Sequence, residues 1–251
     1  MEYNCRLYDY PTGQHVSIYT RTITRNEDTE NRKNKNFAKT TQNEERTEEQ
    51  ENHCRKVSLS ATKNRIYNIA RSNTWEWFIT LTFDRTITDS SDYDTVVRRL
   101  QIFLNNLQKR QCPDMKYLIV PELHKDKEHY HFHGLLSCCD GLRFRYSGHD
   151  TKKGDPIYNI LNWSWGFTTA TRITDTRRAS SYITKYITKE SEQFLKEKNR
   201  YYCSRNIDRT EPEFFIVEEE HFLQTYAQDI TYCKSVTIKE ANQRVNYYEL
   251  K

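Results

Sequence analysis

Residues 3–20 alternate apolar and polar side chains on both sides of a Pro11-Thr-Gly-Gln14 turn, with Val16, Ile18 and Tyr19 on the return. This pattern predicts an N-terminal β-hairpin extension over 1–24. From 25 to 56 it stops. Apart from Phe37 and Ala38 the stretch is largely Asn, Glu, Lys, Arg, Thr and Gln. It predicts a polar mobile linker, with a helical turn or two allowed by its good helix formers. Order resumes near Ser60, where SLSATKNRIYNIARSN reads as a capped amphipathic helix. TWEWFITLTFD (74–84), KYLIVPELH (116–124), HYHFHGLLSCC (129–139) and WGFTTATRIT (165–174) read as strands, Pro121 marking an edge or a bulge. Val96, Val97, Leu100, Phe103, Leu104 and Leu107 recur at helical spacing and predict a helix over about 92–110. Residues 140–162 read as loop with a short helix. Propensity leaves 179–190 undecided. A helix around EEEHFLQTYAQ and strands over 230–237 and 244–249 complete the reading.

The connection at 124–129 is too short for a parallel crossover. The expected fold is therefore α+β: a central antiparallel sheet of about five strands flanked by helices. Residues 57–210 form the main domain, and 211–251 an acidic C-terminal accessory segment.

Composition narrows the function. No apolar run approaches the roughly 20 residues of a membrane helix, and MEYNCRLYDY is not a leader, so a cytoplasmic protein without membrane contact is expected. Seven cysteines form no CxxC pair, which favours reduced thiols over a disulfide framework or a zinc ribbon. No GxxxxGK[ST] motor motif occurs. The net charge is +4, with residues 72–210 basic and 211–251 acidic, a distribution that suits an anionic partner.

Four of the eight histidines fall between 124 and 133. On a strand His129, His131 and His133 share one face. If 116–124 pairs with 129–137 through the KDKE turn, Glu122 lies opposite His131 and diagonal to His133. Two imidazoles and a carboxylate on one face suit a divalent metal with room for substrate oxygens. A one-residue shift at Pro121 would swing Glu122 away and leave His129 or His124 as third ligand. A polar strand face carrying surface histidines is the alternative.

Residues 182–189 read YITKYITK, a spacing expected by chance only ~0.007 times at this composition. On a helix Tyr182, Lys185, Tyr186 and Lys189 form one stripe, with Ile183 and Ile187 on the adjoining face for packing. A phenol with a pKa of about 10 is a poor nucleophile at neutral pH. A neighbouring ammonium and a metal polarising the target make tyrosinate attack on phosphorus feasible. Lysine stems lying over tyrosine rings on a surface stripe are the alternative.

These motifs together resemble the HUH endonucleases, specifically the two-tyrosine rolling-circle replication initiators of microviruses, filamentous phages and small plasmids. Phe78–Asp84 is similar to the family's first motif. Glu122 with His131-Phe132-His133 is similar to the second, and YITKYITK to the third; WSWGF at 163–167 and RYYCSR at 200–205 are softer matches. The approach HKDKEHYH departs from the turn many relatives carry. The resemblance covers about 58–210.

It implies metal-dependent, site-specific nicking and strand transfer on single-stranded DNA or an origin hairpin. His131, His133 and Glu122 would hold Mg2+ or Mn2+. Tyr182 or Tyr186 would form a 5′-phosphotyrosine link and free a 3′-OH primer. Lys185 and Lys189 would neutralise phosphate charge or lower the tyrosine pKa, and Arg172, Arg177 and Arg178 would follow the DNA backbone. A separate host helicase and DNA polymerase are implied, in a bacterial cell, with a phage or plasmid as the source. The alternatives are a relaxase or transposase of the same superfamily, a non-catalytic single-stranded nucleic-acid-binding module, and a metal hydrolase.

Overall fold

The computed structural model describes residues 1–25, 47–124, 126–187, 198–238 and 242–251. Two compact units emerge: residues 1–50 with 210–251, and residues 51–209.

The first unit is built on β1 (Glu2–Tyr10) and β2 (Gly13–Thr24), the expected hairpin, together with three strands from the C-terminal segment. β10 (Glu213–Phe215), β11 (Ile230–Ile238) and β12 (Gln243–Leu250) give a five-stranded antiparallel sheet in the order β10-β1-β2-β12-β11. The terminal segments 1–24 and 211–251, separate in the sequence reading, thus share one sheet. Phe222 of helix Glu219–Tyr226 packs on it with Cys5, Val16, Ile18, Tyr248 and Leu250.

The larger unit carries a seven-stranded antiparallel sheet, not the five strands expected. β3 (Trp77–Thr82), β4 (Lys116–Leu123) and β5 (Tyr130–Ser137) form its centre. β6 (Phe144–Asp150), β7 (Pro156–Ile160), β8 (Thr168–Arg172) and β9 (Tyr202–Cys203) complete the order β6-β7-β8-β3-β5-β4-β9. The two extra strands on one side come from residues 140–162, expected as loop and short helix. Phe144 stacks on Trp77 at 4.0 Å and Tyr158 meets the same ring edge-on at 5.4 Å. These contacts hold the β6–β7 hairpin to the sheet.

Alternation assigns each sheet face a different helix. α1 is Glu48–Arg71 and α2 is Tyr93–Arg110. Ile79, Leu81, Ile119, Phe132 and Leu136 pack against Val96, Leu100, Phe103, Leu104 and Leu107 of α2. Asp92 caps α2, its carboxylate accepting from the Asp94 and Thr95 amides, a cap worth about 1 kcal/mol. Leu118, Val120 and Leu135 point the other way, toward Leu59, Ile66 and Ile69 of α1 and Ala179 and Ile183 of α3 (Thr176–Ile183). α1 begins at Glu48, so residues 48–56, placed in the linker by sequence, are helical. Residues 26–46 of that linker lie outside the described residues.

Gly134 sits in β5 between Ile79 and Ile119 on the α2 face. A Cβ there would overlap the Ile119 Cδ1 methyl, so that methyl fills the missing side chain's place.

Candidate active site

The short 124–129 turn sets the β4–β5 register. Asp126 accepts from the Glu128 and His129 amides at 3.0 and 3.1 Å and from Arg85 at 2.6 Å, while the His124 amide donates to the His129 carbonyl at 2.7 Å. Asp126 is held at about 2, chiefly by the Glu128 amide, with His129 and Arg85 adding to it. Glu122 then pairs with His131, and Val120 with His133. This is the unshifted register, with Pro121 kept in line opposite Phe132.

Glu122, His131 and His133 converge on the face shared with α1 and α3. His131 Nε2 and His133 Nε2 donate to the same oxygen, Glu122 Oε2, at 2.6 and 2.8 Å. His133 is buried, whereas His131 and Glu122 are half-buried. Burial pushes the Glu122 carboxyl up, but hydrogen bonds from both imidazoles and their charges outweigh it and hold it at about 2. Burial lowers His133 below the ordinary imidazole value against the pull of Glu122. Its other nitrogen, Nδ1, lies 3.1 Å from Thr80 Oγ1, whose hydroxyl donates to it.

The three donor atoms lie within 4.8 Å of one another. Two nitrogens and one carboxylate oxygen, partly open to solvent, fit a divalent cation that keeps positions for substrate oxygens. His129 is turned to Ser90 at 3.0 Å, and His124 meets the His131 ring edge at 5.6 Å while its Nδ1 faces Asp126.

The tyrosine pair lies against this cluster. α3 is capped by Asp175 and anchored by Ile183, which is fully buried along with Ile187. The run does not continue as one α-helix. α3 ends at Ile183, and Thr184–Tyr186 form a 3-10 turn. β-branched Ile and Thr weaken α-helix here, as their propensity allows. Tyr186 stacks face-to-face on the His133 ring, centroids 3.6 Å apart at 15°. Tyr182 meets Phe78 and Tyr186 edge-on at 5.3 and 5.5 Å, and Lys185 Nζ lies 5.1 Å from the Tyr182 ring centroid. Burial, a hydrogen bond with Tyr182 and the charges of Tyr182 and Glu122 push the Tyr186 phenol far above its ordinary range. Lys189 lies outside the described residues.

Arg177 and Arg178 stand on the first turn of α3, with Arg178 one turn before Tyr182. Arg172 is not part of this group. It pairs with Glu76 at 3.3 Å and lies 4.0 Å over Trp77, whose ring belongs to the α2 face. Sequence reasoning missed Thr80, although its place on β3 opposite His133 follows from strand pairing.

Residues 76–191 match a family model described as replication-associated protein ORF2. That segment contains the Glu122–His131–His133 cluster and both tyrosines, so the family match and the candidate site coincide. A role in replication is what this match supports. No curated protein and no solved structure matches the chain. No helix among the described residues is long and apolar enough to cross a membrane.

Proposed function

We propose that this chain is a rolling-circle replication initiator that nicks single-stranded DNA and transfers the strand through a tyrosine nucleophile. The observation that carries the reading is the stack of Tyr186 on His133, which sets a tyrosine pair directly beside a two-histidine, one-carboxylate cluster. His131, His133 and Glu122 would hold Mg2+ or Mn2+, which supplies Lewis-acid polarisation of a phosphate oxygen when bound.

The phenol oxygen of one tyrosine forms a bond to phosphorus, and the bond from phosphorus to the 3′ oxygen breaks. The phenol loses a proton and the departing oxygen gains one, leaving a 5′-phosphotyrosine and a free 3′-OH. The second tyrosine, one turn away, is placed to repeat the step on the next junction. Lys185 and Arg178 set positive charge along the exposed side of Tyr182, where a phosphate is attracted. Strand separation and synthesis fall to a separate helicase and a polymerase, and an origin hairpin is the natural substrate.

The test combines purified protein, labelled single-stranded oligonucleotides including candidate origin hairpins, and Mn2+ or EDTA. Wild type is compared on denaturing gels with Tyr182→Phe, Tyr186→Phe, the double variant and His131→Ala/His133→Ala. A metal-dependent covalent band that vanishes in the double Phe variant is the expected result. Binding by folded, metal-loaded protein without any adduct would leave a nucleic-acid-binding module. Cleavage that survives loss of both tyrosines would mean a water-activating hydrolase.

A further inference from the structure

We infer that Phe167 is a stacking platform for the nucleobase adjoining the cleaved phosphate, an assignment that rests on the DNA-nicking reading above. Phe167 is 77% exposed, more than any other large hydrophobic among the described residues. A lone exposed apolar side chain is ordinary. The backbone that presents this one is not.

Phe167 is clamped to the end of β3. The Thr82 amide donates to the Phe167 carbonyl at 2.9 Å, the Asp84 amide to the Trp165 carbonyl at 2.8 Å, and Trp163 Nε1 to the Thr82 carbonyl at 3.1 Å. Gly166 between them has φ of +148°. A Cβ there would overlap backbone atoms of Thr82, Phe83 and Asp84, so only glycine lets the two segments approach this closely. Trp163 is buried against Phe83 and Phe103 and ties the segment to the α2 core. The result is a large ring, open to solvent, on a rigid base.

Its place on the sheet gives the ring a use. β3 pairs Thr82 with His131, and β5 pairs His131 with Glu122. On the other side the pairing of β3 with β8 runs Thr80 to Thr169 and Leu81 to Thr168, which brings Phe167 opposite Thr82. Phe167, Thr82, His131 and Glu122 therefore form one row across the face that carries the cluster. Two strand spacings separate Phe167 from His131, about 10 Å. The residues between and beside them on that face are threonines, Thr82, Thr80 and Thr169, which form a low floor. A phosphate at the cluster puts a neighbouring nucleoside over this floor, with Phe167 at its rim. Aromatic stacking is the sequence-tolerant way to hold a single-stranded base.

The full chain is tested by fluorescence anisotropy at low salt with Mn2+, on labelled dA20 and on a 20-unit abasic strand of the same charge. Phe167→Ala is expected to weaken dA20 binding about tenfold and to leave abasic binding unchanged. Phe167→Trp is expected to retain wild-type affinity. An unchanged melting temperature shows that the fold is intact. Equal affinity of wild type and Phe167→Ala for dA20, equal losses on both strands, or no binding of dA20 by wild type would each overturn the assignment.

The adduct assay, run in parallel, separates the two ideas. Adduct formation with no Phe167 effect sinks the platform and leaves the nuclease. A base-dependent Phe167 effect without any adduct sinks the nuclease and leaves the platform.

Discussion

Replacing Thr80 with Val isolates the support behind the candidate metal ligand His133. Valine keeps the β-branched shape and removes one hydroxyl, the group 3.1 Å from His133 Nδ1. In the free protein that hydroxyl donates to Nδ1 while Nε2–H donates to Glu122. When Nε2 gives its lone pair to a cation, Nδ1 must carry the proton, and Thr80 Oγ1 becomes the acceptor. His133 is only 7% exposed, so in Thr80→Val that N–H is left without water as a substitute.

An unsatisfied buried donor costs about 1–3 kcal/mol, and partners behind a ligand histidine are commonly worth 10–100-fold in metal affinity. The variant also loses a hydrogen bond in the free protein, which cancels part of this cost. The expected loss is therefore at the low end, about tenfold in Mn2+ affinity, or about 1.4 kcal/mol. Isothermal titration calorimetry with Mn2+ on the full chain reads it directly, with stoichiometry held at one ion. Thr82→Val, on the same face of the same strand, serves as control, and His133→Ala should abolish binding. Thr80→Val affinity within twofold of wild type would refute the positioning argument. Wild-type affinity in a Glu122→Ala/His133→Ala double variant would remove the cluster as the metal site altogether.

Three further outcomes are expected. Gly134→Ala should destabilise the chain by about 1–3 kcal/mol in urea unfolding, because the new methyl meets Ile119 in a filled layer; Ile119→Val in the same chain should restore part of the loss, and an unshifted midpoint would contradict the packing. Thiol labelling of the native protein should modify exposed Cys54, Cys138 and Cys233 rapidly and spare Cys5 and Cys139, which burial pushes up to about 11 and about 12. Mass spectrometry finding Cys139 modified as fast as its neighbour Cys138 would refute this. The Asp126 carboxyl is depressed in the folded chain, so its ordering of the turn is fully present above the ordinary carboxyl value of about 3.9 and is lost as pH falls through about 2. The amide resonances of Glu128 and His129 should titrate with that low midpoint, and a midpoint near 4 would count against it.

What the sequence made legible was local. The α2 stripe from Val96 to Leu107 needs no distant partner to be read, and the four-residue turn after His124 fixes the pairing of Glu122 with His131 without further information. The misses have a common cause, which is dependence on remote partners or on no partner at all. Phe144 and Tyr158 carry a hairpin whose anchor, Trp77, lies far earlier in the chain. The pairing of β12 with β2 joins residues more than two hundred positions apart. Helix α1 buries nothing before Leu59, so its first turns hold no apolar period to detect and rest on propensity alone.

The tetrapeptide repeat shows the same limit at the site. Tyr-Ile-Thr-Lys occurs twice, and an uninterrupted α-helix would set the two tyrosines in nearly equivalent positions. The buried Ile183 and Ile187 pin the segment from below, and between them the chain tightens into a 3-10 turn. Three residues at 3.0 rather than 3.6 per turn add about 60° of rotation. That rotation accompanies the different fates of the rings: Tyr182 remains 44% exposed under Lys185, while Tyr186 lies flat on His133. A repeat in sequence thus becomes two unlike phenols in space, one facing solvent and the cationic stripe, the other facing the histidine cluster. Two nucleophiles that alternate at one centre need to be distinguishable at any moment, and a local change of helix type is enough to distinguish them.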